Sequence, residues 1–145
     1  SDLRRAVGAA DSYRAELANK MKYIKTAINE APQKLENLSI EILNIDKKLM
    51  NINTLLNGDA TLAKREFETL PSINGRVGSI EYTMWNVSAV PTQTFIKSYE
   101  IASAEFNVVI SSLKEVDESI KKVEVILEQN NAPYTPGRFP FWKGK

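Results

Sequence analysis

The 145-residue chain contains no cysteine and no histidine. These absences remove thiolate nucleophiles, zinc fingers, iron–sulfur clusters, haem ligation by imidazole and every catalytic dyad built on histidine. Chemistry is left to carboxylates, lysine and tyrosine, and no cofactor is expected. Without thiols the chain suits an oxidising and a reducing compartment equally. An excess of one charge is missing too: nineteen Lys and Arg face eighteen Asp and Glu, a formal charge of +1, which is no footprint for nucleic acid or an anionic membrane. No apolar run approaches the ~20 residues that a membrane-spanning helix requires, and Ser1 to Ala10 reads as an amphipathic start of a helix, not as a signal peptide. Internal repeats and low-complexity blocks are also lacking.

What the chain does have is helical periodicity, with 43% hydrophobic residues and a length suited to one core. Leu3, Val7, Ala10, Arg14, Leu17, Met21, Ile24 and Ile28 alternate four and three residues apart, and only Arg14 is polar. They predict a first long helix with Asp2 as N-cap and Pro32 as its stop. Leu35, Leu38, Ile42, Ile45, Leu49, Ile52 and Leu56 give a second, closed by Asn57-Gly58; each of the two would be about 40 Å long. Asp59 can cap a short piece from Ala60 to about Phe67, before Thr69-Leu70-Pro71-Ser72 breaks the chain. Ile73, Val77, Ile80, Met84 and Val87 predict a third helix, ended by Ser88 to Pro91. From near Thr92, Phe95, Tyr99, Ala102, Phe106, Val109, Leu113, Val116, Ile120, Val123 and Leu127 fill ten successive core positions. At this composition the chance of such a run is roughly 2 in 10,000 for a chosen phase.

A 3.5-residue repeat favours crossings near 20° and short connections favour antiparallel neighbours. The expected fold is all-α: an antiparallel up-down-up-down four-helix bundle over residues 1–131. Residues 132–145 form a separate tail with three prolines and four aromatics between Ala132 and Lys143. It is expected to fold back and place Phe139, Phe141 or Trp142 in a groove left by the short third helix. Candidate packing or interaction residues are Arg76, Trp85, Arg138, Phe139, Phe141 and Trp142.

The remaining constellations favour structure over chemistry. Glu115 with Glu118, or Glu118 with Glu124, are spaced like a solvated face laced by Asp117–Lys121 and Glu118–Lys122 pairs. A ferritin-like metal site needs Glu-x-x-His. Arg14 on a core stripe is either a buried partner for a carboxylate or an arginine whose stem packs while its head reaches water. Tyr13, Tyr23 and Tyr99 read as packing residues, and Met84 with Trp85 as a packed bundle end. Gly75 and Gly78 lack the strand and Lys-Ser/Thr of a phosphate loop and are expected to permit close helix approach. Asn37-Leu38-Ser39 and Asn86-Val87-Ser88 fit the glycosylation sequon but fall on helices.

Three segments together carry a resemblance: Ile73-Asn74-Gly75-Arg76-Val77, Val90-Pro91-Thr92-Gln93-Thr94 and Ala132-Pro133-Tyr134-Thr135-Pro136-Gly137-Arg138-Phe139-Pro140. They resemble the C-terminal helical region of large bacterial proteins of the sortilin-like or BNR-repeat β-propeller type, often labelled glycosyl-hydrolase-like. Asn131 stands where those proteins tend to carry Gly, a mild departure because Asn tolerates the left-handed conformation. The resemblance implies a non-catalytic accessory module of an extracytoplasmic protein, partnered by its own upstream propeller or by another protein. The chain itself has no Asp-box and no blade-sized β pattern. Two other classes stay open: a ligand-sensing or adaptor bundle and a small carboxylate-dependent enzyme. Oligomeric state is not legible.

Overall fold

The computed structural model describes residues 2–59, 61, 71–86 and 93–144. Four helices form: α1 (Asp2–Glu30), α2 (Leu38–Asn57), α3 (Ile73–Asn86) and α4 (Gln93–Gln129). No strand occurs among the described residues, and the helices pack as one bundle in which each touches the other three.

Local chemistry sets the boundaries. α1 begins with Asp2 already inside its first turn and stops two residues before Pro32, whose ring disfavours helical backbone in Ala31. The second helix starts at Leu38, not near Leu35, because the segment after Pro32 bends and then turns, closed by Leu38 N–H to Leu35 O at 3.1 Å. Leu35 still packs on the core, but α2 is about 30 Å long instead of about 40 Å. Gly58 ends it at φ +82°, its N–H donating to Thr54 O at 2.8 Å. Ser72 opens α3: its hydroxyl accepts the Gly75 N–H at 3.0 Å, satisfying one of the free donors of the first turn. Asp59 accepts the Thr61 N–H at 2.9 Å, as a cap would. The rest of the short piece expected to Phe67, and the stop from Ser88 to Pro91, lie outside the described residues.

Cross-helix pairs give the helix directions. Lys25 meets Asp46 and Asp11 meets Asn57, so α2 runs antiparallel to α1. Tyr13 meets Asp117 and Lys20 meets Glu124, so α1 and α4 advance together and are parallel. Asn74 binds Asn57 and Glu81 binds Arg4, so α3 is antiparallel to α1 and continues in the direction of α2. Up-down alternation thus holds from α1 to α2 and from α3 to α4, while α2 and α3 stack end to end. At their joint a Cβ placed on Gly58 would lie 3.8 Å from the Ser72 Cβ. The reason is one of length. α4, with 37 residues, is about 55 Å long, more than α2 can cover, and the stacked pair supplies about 51 Å.

The core follows this geometry. Eight α4 positions from Ala102 to Leu127 are buried, facing Val7, Leu17, Met21 and Ile24 of α1 and Leu38, Ile45, Leu49, Ile52 and Leu56 of α2. Ile73 and Val77 carry the core across the joint. The expected seam stops short at one end: Phe95 is half-buried, and Tyr99 and Met84 are 45% and 66% exposed. Tyr13 opposite Asp117 places the first residues of α1 well inside the span of α4, so α1 does not run beside the opening turns of α4.

Candidate functional site

The C-terminal tail is built onto the end of α4 by its own backbone chemistry. Asn131 takes φ +56°, Ala132 N–H donates to Leu127 O at 3.0 Å and Asn131 N–H to Glu128 O at 3.3 Å. This double bond pattern satisfies the last carbonyls of the helix and turns the chain back. Ala132 is buried beside Leu127. Pro136 and Gly137 then form a tight turn, with Gly137 at φ +89° and Arg138 N–H reaching Thr135 O at 3.4 Å, the positions at which a type II turn calls for Pro and Gly. The turn buries Thr135 and brings Arg138 over the helix end.

Arg138 is the fastening. Its guanidinium pairs with Glu128, its side chain is 12% exposed, and its Cζ lies 5.0 Å from the centroid of the Tyr134 ring. That geometry combines an ion pair with a cation–π contact on one planar group. Tyr134 completes the ring of contacts: its hydroxyl accepts the Phe141 N–H at 2.9 Å and donates to Glu128 Oε1 at 3.3 Å. Residues 134–141 are therefore a closed loop. An open groove of about 700 Å³ runs beside it, lined by Glu128, Asn131, Tyr134, Phe141, Trp142 and Lys143 among others.

The tail does not insert its aromatics into the bundle, contrary to the sequence expectation. Phe139, Phe141 and Trp142 are 94%, 68% and 76% exposed. The space they were to fill does not arise, because α3 extends α2 along α4 instead of standing as a short fourth column. Ala132, Thr135 and Arg138 make the packing contacts. Of the other candidates, Arg76 is half-buried between α3 and α4, with Nη1 3.5 Å from Ser98 Oγ, far from the tail. Trp85 belongs to α3, but its side chain lies outside the described residues.

The polar side chains are consumed by structure. Arg14 Nε pairs with Asp11 at 3.0 Å with the arginine 19% exposed, and Asp11 also accepts from Asn57 at 3.1 Å. Asn57 in turn holds Asn53 and Asn74, so one cluster ties α1 to the joint of α2 and α3. Its members have no shared sequence motif. Glu115 pairs with Lys48, Glu124 with Lys20, and Asp117 with Lys121, the last as its i,i+4 spacing predicts. The Tyr13 hydrogen bond to Asp117, then partial burial and the neighbouring negative charge, push the phenol up to about 12. The same bond, with help from Lys121, lowers Asp117 below its ordinary value. Among the described residues no three carboxylates converge to hold a metal ion. Gly75 and Gly78 do not mark a close helix approach: a Cβ on Gly78 meets nothing within 4 Å, and one on Gly75 meets only the Ser72 hydroxyl.

The tail's anchoring could have been read from Asn130-Asn131 followed by Pro136-Gly137, both turn signals. No signal marked Thr135 as buried. No protein-family model, curated protein or solved structure matches the chain.

Proposed function

We propose that the chain is a non-catalytic structural and interaction module, the C-terminal accessory domain of an extracytoplasmic β-propeller protein, and that its tail makes the contact with the upstream propeller. The observation that carries this reading is the fixed display of Phe139, Phe141 and Trp142, three large aromatics in water on a loop whose backbone is closed by Tyr134 and pinned by Arg138. Aromatic anchors held in one conformation lose little entropy on docking, which is what a contact surface requires. The propeller partner and the compartment rest on the resemblance of the Ile73, Val90 and Ala132 segments. The carboxylates support a non-catalytic role, since Glu115, Asp117 and Glu124 are each committed to a lysine.

The test is an assay of the isolated 145 residues beside the longer polypeptide on a panel of glycans and glycosides. The expected result is no turnover by the isolated chain. Specific turnover by it, lost on replacing one of its carboxylates with the amide, would make it an enzyme and remove this reading.

A further inference from the structure

α2 is apolar on two faces. Ten of its twenty residues are Leu, Ile or Met. Leu38, Ile45, Leu49, Ile52 and Leu56 form the core side, while Ile40, Leu43 and Met50 stand on the opposite side at 73%, 53% and 68% exposure. With Lys47 and Thr54 these outer residues alternate three and four apart, a second seam of helix-pairing spacing. A helix with apolar stripes on both sides is the pattern of one covered on both.

We propose that this outer face is a homodimer seam, in which α2 packs antiparallel on α2 of a second copy about a two-fold axis near Ile45. That register sets Ile40 against Met50 of the second copy and lays the Lys47 stem over Leu43 of the second copy. It also sets Glu41 beside Lys48 of the second copy, and each of these contacts occurs twice by symmetry. Glu41 and Lys48 are seven residues apart on one flank of the stripe, so reversal of the second helix exchanges their positions and pairs opposite charges. A parallel pairing would set Lys47 against Lys47 and Glu41 against Glu41. The self-complementarity of the charges therefore selects a second copy and the antiparallel arrangement. A single seam of this length covers on the order of 1,000 Å² in total, the low end of specific interfaces. The dimer is accordingly weak, with a micromolar dissociation constant.

Sedimentation equilibrium from low to high micromolar concentration tests this, with circular dichroism melts as a control that the exposed substitutions leave the fold intact. The wild-type chain is expected to show a monomer–dimer equilibrium. Leu43→Glu should weaken it at least tenfold, Glu41→Lys should weaken it, and the double exchange Glu41→Lys/Lys48→Glu should restore it. A chain that stays monomeric throughout overturns the proposal. So does a dimer that survives Leu43→Glu, or one that is lost instead on Trp142→Ala. The tail reading uses other residues and stands or falls separately.

Discussion

At the scale of single residues, Tyr13 and Asp117 make a contact whose strength depends on pH. The folded Tyr13 phenol sits at about 12, above its ordinary value of 10.0. Its contribution to stability is whole below pH 10 and lost as the pH rises through the folded value. Asp117 is lowered, so its contribution is whole above the ordinary carboxylate range and lost as pH falls through its depressed value. Alkaline absorbance titration should show one phenol ionising near pH 12, and Tyr13→Phe should remove that step together with the alkaline loss of stability it causes. Glycines separate by conformation. Gly78 lies inside α3 with nothing within 4 Å of a built Cβ, so Gly78→Ala should stabilise by about 0.5–1 kcal/mol through helix propensity. Gly58, at φ +82° and ψ 174°, holds a backbone that only glycine adopts readily, and Gly58→Ala should cost about 1–3 kcal/mol. Chemical denaturation of both variants checks the opposite signs.

At the scale of the elements, burial decides which substitutions matter. Ile73 is fully buried where the core crosses from α2 to α3, whereas Met84 on the same stripe is 66% exposed. Ile73→Ala should therefore cost about 2–5 kcal/mol and Met84→Ala less than about 0.5 kcal/mol, measured by urea unfolding. Periodicity alone treated the two alike. The helices themselves were legible because a helix needs only its own residues to declare a stripe: the α4 positions from Ala102 to Leu127 were all read correctly and are all buried. Direction was not legible at the α2–α3 joint. A break after Gly58 permits either reversal or continuation, and the choice is made by lengths and by pairs such as Arg4–Glu81 that join residues far apart in sequence. Phe139, Phe141 and Trp142 were expected inside on hydrophobicity alone, yet the turn at Pro136-Gly137 turns the buried side toward Thr135 and Arg138.

At the scale of the whole molecule, the bundle and its tail form a rod about 55 Å long by the rise of α4, with its anchoring and its displayed surfaces on different residues. Deleting residues 132–145 removes the Arg138–Glu128 pair, the buried Ala132 and Thr135 and the cap of α4, and should lower the melting temperature by several degrees. Deleting only 143–145 should leave the melt unchanged, since Lys143 is exposed. Arg138→Lys should behave more like Arg138→Ala than like the wild type, because an ammonium cannot both pair with Glu128 and lie flat on Tyr134. The central claim is that the tail displays its aromatics for a contact made by the longer polypeptide. It is tested most directly by Trp142 fluorescence in a Trp85→Phe background, with iodide quenching, in the isolated chain and in that longer polypeptide. The expected result is water-like, readily quenched emission in the isolated chain and blue-shifted, protected emission in the longer one; Trp142 equally exposed in both would contradict it.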